Sequence, residues 1–252
     1  MPGSLARHLD PLPTGHACQG CEARSRAVCG ILDCENLAQL KKLGSTLRLA
    51  AGQTLFHEGD PAGRVFTLTH GHLKLYKLLP DGRRHVVGFL DPGDFLGISV
   101  DDEHAFTAEA IGDADLCCFP RGRFDSFISD HPSMERELYQ LAAHELAATQ
   151  LQLVLLGRRT AAERLANFIL LQAERQATRG SATNIVDLPM NRADIADYLG
   201  LTKETVSRVL STFRAARLIR LKGVYELEIL DRRLLEQLSE GGAHERATLI
   251  SA

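Results

Sequence analysis

From Ser133 to Leu156 the chain runs without a single proline or glycine. Both residues are costly inside helices, so an uninterrupted stretch of this kind, beginning after His131-Pro132 and reaching Gly157, is predicted to be one long helix. Leu138, Ala142, Leu146, Thr149, Leu153 and Leu156 recur three or four apart along it and line one stripe. An ordinary helix packed on its own domain shows the same periodicity. Leu151, Val154 and Leu155 add apolar surface on other faces, however, which predicts a helix packed on two sides, one of them against a second copy of the chain. The middle of the stripe carries neutral Thr149, so no built-in charge repulsion holds two such helices apart.

The patterns on either side of this helix differ. Upstream, from about 46 to 130, short runs such as Val65-Phe66-Thr67-Leu68, Leu73-Lys74-Leu75-Tyr76-Lys77 and Val86-Val87-Gly88-Phe89-Leu90 are β-branched, aromatic and alternating. Turn signals such as Gly59-Asp60-Pro61, Pro80-Asp81-Gly82 and Asp91-Pro92-Gly93-Asp94 cut them at even spacing, which predicts a small antiparallel barrel or roll with Gly88 and Gly93 at its turns. Downstream, a second helix is predicted from Thr160 to Ala177, then a polar break at Thr178-Arg179-Gly180-Ser181 and a short strand at Ile185-Val186-Asp187-Leu188. The class is therefore α+β. The expected divisions are a cysteine-bearing arm and helix (1–45), a roll (46–130), the long helix (131–158), a winged helix-turn-helix (159–238) and a tail (239–252).

With 252 residues and a hydrophobic fraction of 44%, the chain has material for one large or two ordinary soluble domains. A basic segment followed by an apolar stretch is missing from the amino terminus, so a cytoplasmic protein without a membrane partner is expected. A formal net charge of -3 excludes a uniformly basic nucleic-acid coat, and any DNA affinity must come from a local basic surface.

Such a surface lies between Arg192 and Lys222. Arg192, Lys203, Arg208, Arg214, Arg217, Arg220 and Lys222 stand there against Asp194, Asp197 and Glu204. Asn191 can cap a helix beginning at Arg192, Gly200 suits the tight turn of a helix-turn-helix, and Thr202 can cap a second helix with apolar Val206, Val209, Leu210 and Phe213. Glu204, Ser207 and Arg208 sit at i, i+3 and i+4 and project together near the start of that helix. Their chemistry suits base edges in a major groove, arginine donating to guanine and glutamate accepting from cytosine. A Glu204–Arg208 surface ion pair is the ordinary reading, but it explains neither the capped helix and turn before it nor the strand pair after it, Leu218 to Leu221 and Tyr225 to Leu230, which resembles a wing. Thr202, Lys203 and Arg192 are expected to join the contact with double-stranded DNA.

Six cysteines stand at Cys18, Cys21, Cys29, Cys34, Cys117 and Cys118. In a reducing compartment, clustered cysteines more often bind metal or sense redox state than staple a fold. Cys18 and Cys21 form a Cys-x-x-Cys pair, Cys29 follows, and a fourth thiolate has to come from Cys34, Cys117 or Cys118. An iron-sulfur cluster, tetrahedral zinc and a reversible disulfide all remain open on ligand chemistry alone. Cysteines in an alternating stretch such as that around Cys117-Cys118 are often simply small core residues.

The stretch Asn191 to Phe213 resembles the helix-turn-helix of the FNR branch of the CRP/FNR regulators, with its Glu-x-x-Ser-Arg reading face at Glu204, Ser207 and Arg208. The likeness extends upstream to Ala51-Gly52-Gln53-Thr54-Leu55-Phe56 and Ala162-Glu163-Arg164-Leu165-Ala166, so it covers nearly the whole chain. The resemblance implies a cyclic-nucleotide-binding-like β-roll, a dimerisation helix and a homodimer that reads palindromes with half-sites like TTGAT. It further implies a [4Fe-4S] cluster held by Cys18, Cys21, Cys29 and, in the place before Phe119-Pro120, Cys117. It also implies an activator that contacts RNA polymerase, with the turn Pro80-Asp81-Gly82-Arg83-Arg84 resembling an activating surface. Cyclic-nucleotide binding is not expected, because the region from Gly93 to Ala108 lacks the phosphate-binding arginine of such pockets. An enzyme is not expected either, since His104, Glu109 and Asp101 belong to no further catalytic motif.

Overall fold

The computed structural model describes residue 9 and residues 11–99, 101–158, 160–177 and 184–241; side chains from 151 to 158 are outside that description. The chain divides within the long helix into one compact unit ending at Leu146 and another beginning at Ala147.

In the first unit the alternating runs form β1 (Ser45–Leu49), β2 (Thr54–Phe56), β3 (Arg64–His70), β4 (Leu73–Leu78), β5 (Arg84–Leu90), β6 (Phe95–Leu96), β7 (Thr107–Ala110) and β8 (Ala114–Pro120). They pair antiparallel in two sheets of order β1-β8-β3-β6 and β2-β7-β4-β5. Leu68, Leu73, Leu116 and Ala108, all fully buried, fill the roll's core. Gly93 lies in a turn with φ 106, as its sequence context implies. Gly88 does not. It pairs with Leu75 inside β5, next to the irregularity between Leu75 and Tyr76, because a bulge rather than a turn absorbs the local change of register.

The period-two geometry of β8 sorts its side chains. Ala114, Leu116 and Cys118 enter the roll's core, whereas Cys117 and Phe119 face a second apolar cluster on the other side of the sheet. That cluster is completed by the arm. A 3-10 turn at Val28–Ile31 leads to α1 (Cys34–Leu43), started by Asp33, whose carboxylate accepts from the Asn36 amide at 2.8 Å. Gly44 then lets the chain pass so close to β8 that any Cβ there would collide with the Phe119 ring.

Phe124 and Phe127 of α2 (Arg121–Ser129) and Met134 of α3 (Pro132–Arg158) close the same cluster. At 27 residues α3 is about 40 Å long. Only its first turns pack on the roll: Met134 is fully buried and Leu138 half-buried, but every residue from Ala142 to Gln150 is exposed. Two-sided packing of α3 is thus not met within one chain over that stretch. The side chains of Leu151, Leu153, Val154, Leu155 and Leu156 lie outside the described residues.

The second unit contains α4 (Ala161–Ala177), β9 (Ile185–Asp187), α5 (Arg192–Leu199), α6 (Lys203–Ala215), β10 (Ile219–Leu221), β11 (Glu226–Ile229) and α7 (Arg232–Ser239). Thr160 is the cap of α4 rather than its first residue. Its amide donates to Glu163 Oε2 at 2.9 Å while the Glu163 amide donates to Thr160 Oγ1 at 3.3 Å, a reciprocal capping box. Strands β10, β11 and β9 form an antiparallel sheet beside the helices. Phe168, Ile169, Val206, Phe213 and Leu235 are fully buried at the centre of this unit.

Candidate thiol site and nucleic-acid interface

The arm wraps so that Cys18, Cys21 and Cys29 line one cavity together with Cys117 of β8. A turn closed by the Cys21 amide donating to the Cys18 carbonyl at 3.3 Å brings the first pair round to one side, and His16 Nδ1 accepts from the Cys18 amide at 3.0 Å. The remaining wall is largely apolar, with Val28, Leu37, Leu40, Phe124 and Met134, so the base of the long helix is part of the cavity. Cys118 is buried in the roll's core and Cys34 opens α1; neither lines the cavity.

Burial and the neighbouring thiols both act on these cysteines. Burial pushes the Cys18 and Cys21 thiols up, and Cys117 pushes each further, while Lys41 pulls both back down. Burial raises Cys29 to about 12, with Cys21, Cys117 and Cys18 adding to the rise. Cys29 is half-buried as a whole residue and packs against the arm's apolar cluster. Among the described residues no group of three or more His, Cys, Asp or Glu side chains stands in metal-holding geometry. The four cysteines line one cavity without forming such a group. Four sulfur donors in an apolar setting, with two cations beside them, do fit a soft, thiolate-bound centre once the protons leave.

In the second unit Asn191 caps α5 by accepting from the Ala193 and Asp194 amides, and Gly200 ends it with φ 64 and ψ 40, a left-handed conformation suited to glycine. Arg164 Nη1 of α4 donates to the Leu199 carbonyl at 3.0 Å and so holds the turn from outside, a contact that local spacing does not announce. Thr202 starts α6 by accepting from the Thr205 amide at 3.1 Å. Val206, Leu210 and Phe213 are buried, which leaves Lys203, Glu204 and Arg208 exposed and Ser207 half-exposed on the outer face. Arg192 Nη1 donates to Ser207 Oγ at 3.3 Å, joining the start of α5 to that face. Arg220 and Lys222 on the wing both engage Glu228, at 2.9 and 3.7 Å, so part of the expected positive charge is balanced there.

The residues considered for catalysis lie apart in their surroundings. Glu109 pairs with Lys74 at 2.9 Å, His104 stacks on Phe56 with ring centres 3.6 Å apart, and Asp101 is exposed. At the β4–β5 hairpin the Arg83 amide and guanidinium hold the Asp81 carboxyl below its usual range. Among the described residues no helix is long and apolar enough to cross a membrane.

A β-roll, a long helix and a winged helix-turn-helix in one chain define a class, the DNA-binding transcription regulators. Residues 46–131 match the cyclic nucleotide-binding domain and residues 163–238 the Crp-like helix-turn-helix domain. The chain belongs to the CRP/FNR family. It is 45% identical over 199 residues to the nitrogen fixation regulation protein FixK of Bradyrhizobium diazoefficiens, covering 79% of this chain and 84% of that one. It is 36% identical over 235 residues to the transcriptional activator protein FnrL of Cereibacter sphaeroides, covering 90% and 95%. Among solved structures, FixK2 from Bradyrhizobium japonicum is similar with a TM-score of 0.71 and 34% identity, covering 77% of this chain and 96% of that one.

Proposed function

We propose that the chain is an oxygen-responsive transcription activator of the cytoplasm, acting as a homodimer on palindromic duplex DNA and controlled by a [4Fe-4S] cluster on Cys18, Cys21, Cys29 and Cys117. The observation that carries this reading is the cavity they share, which joins three residues of the arm to one in mid-sheet and is walled by Met134 of the long helix. When bound, such a cluster supplies a centre that oxygen dismantles. The chain's own residues supply the rest. The cysteines tie the arm to β8, and the tied arm packs Val28, Leu37 and Leu40 against Met134 and Leu138 at the base of α3. With the tie intact, the population favours the arrangement of long helices in which two readers face one palindrome.

Dimerisation is assigned to the stripe Leu138, Ala142, Leu146, Thr149, Leu153 and Leu156. Its support is the exposed apolar surface of α3, with Leu146 60% exposed in the single chain. Without charge repulsion at Thr149, the cluster-free protein stays partly dimeric, and oxygen acts chiefly on how the helices are set. Glu204, Ser207 and Arg208 read bases, with Lys203, Thr202 and Arg192 at the phosphates, and the turn at 80–84 meets RNA polymerase. The functional divisions follow the same lines: arm 1–45, roll 46–130, dimer helix 131–158, reader 159–238 and tail 239–252.

Iron and acid-labile sulfide analysis of protein purified without oxygen tests the ligand set. About four irons and four sulfides per chain are expected. Zinc without sulfide would replace this reading with a structural metal site.

A further inference from the structure

Lys41 lies in the last turn of α1, and its ammonium reaches β8, where it donates to Cys117 Sγ at 3.3 Å and to Thr46 Oγ1 at 3.1 Å. Thr46 is the partner of Cys117 across the β1–β8 ladder, so the hydroxyl and the sulfur lie side by side and the ammonium bridges them. Lys41 is half-buried, which limits screening by water. The charged side chains lining the cavity are Arg24 and Lys41, both cationic, and no carboxylate is among them. A lysine near a helix carboxyl end is ordinarily explained by the helix dipole. That explanation does not account for a side chain directed at a thiol 76 residues away.

We infer that Lys41 tunes and positions the sulfur centre: it donates a charge-assisted N–H···S hydrogen bond to the Cys117 thiolate and so slows the loss of the centre to oxygen. The inference rests on the cluster reading above. Withdrawing charge from a thiolate stabilises the more negative, electron-rich state of an iron-sulfur centre and raises its potential. A cluster held by these cysteines would supply an electron that dioxygen could take, becoming superoxide as the core is oxidised, and Lys41 would oppose that loss by holding its charge against the Cys117 sulfur. Lys41 belongs to the unit ending at Leu146, apart from the helix-turn-helix, and is not one of the proposed ligands, so its effect is electrostatic and geometric.

Full-length protein purified without oxygen tests this, as wild type, Lys41→Met, Lys41→Arg and Thr46→Val. Three quantities are measured: iron and sulfide per chain, midpoint potential by mediated titration, and the rate of bleaching in air. Lys41→Met is expected to load as wild type does, to show a lower potential and to bleach on the order of tenfold faster, the scale of one charge-assisted hydrogen bond. Lys41→Arg restores both properties. A loaded Lys41→Met protein with wild-type potential and bleaching rate overturns the inference. If Lys41→Met does not load, Thr46→Val carries the test: a smaller shift of the same sign supports it and no shift overturns it. A wild type without iron and sulfide defeats the cluster reading itself, and the role of Lys41 with it.

Discussion

Cys117 and Cys118 are neighbours in sequence and stand on opposite sides of one strand, because successive side chains of β8 point to opposite faces. Cys117→Ser is therefore expected to lose iron and sulfide while the fold survives. Cys118→Ser places a hydroxyl in the roll's apolar core, a cost of about 1–3 kcal/mol, so it should lower the melting temperature and keep its iron. Parallel metal analysis and calorimetry separate the two, and iron retained by Cys117→Ser would remove it from the ligand set. Arg208 is exposed on α6 and makes no part of the core. Arg208→Ala should weaken specific operator binding roughly 5- to 150-fold, from the ~1–3 kcal/mol of one bidentate base contact, with cluster content unchanged. An equal loss on random-sequence DNA would show a phosphate contact instead. At Gly200 a Cβ would meet Arg164 Nη1 only at 3.7 Å, so space is not the obstacle. The left-handed backbone is. Gly200→Ala should cost about 1–2 kcal/mol in thermal unfolding of the reader, and an unchanged transition would show that the turn relaxes.

At the scale of elements, α3 carries the clearest expectation. Leu146 is exposed in the single chain, and its burial by a partner is worth about 1.5–3 kcal/mol per copy. Leu146→Glu should shift the protein toward monomer in sedimentation without lowering the stability of the roll; an unchanged association constant would place the interface elsewhere. The sequence patterns that forecast these elements are local ones: the proline-free run of α3, the caps Asn191 and Thr202, the turn at Gly200, the alternating strands. Each is a short-range preference of backbone geometry, so each is readable from neighbours. The bulge that keeps Gly88 inside β5 was not readable, because pairing with β4 decides it. Arg164 on the Leu199 carbonyl, Lys41 on Cys117 and Met134 against the thiol cavity were equally hidden, since tertiary packing alone brings these residues together. For the thiols, spacing marked the first three cysteines but left the fourth open, and the alternation of β8 singles out the sulfur that faces them.

Across the whole molecule, the thiol cavity belongs to the unit ending at Leu146 and the DNA reader to the unit beginning at Ala147, and α3 runs through both. Met134 at the base of this helix lines the cavity, and the proposed function requires that an event at the sulfurs be felt at the reader. The test of that coupling is operator affinity, measured at fixed salt on one oxygen-free preparation before and after exposure to air, with iron and sulfide followed on the same samples. The account predicts that affinity for the palindrome falls in step with the loss of iron and sulfide. Operator binding that stays equally tight after both are gone would contradict it.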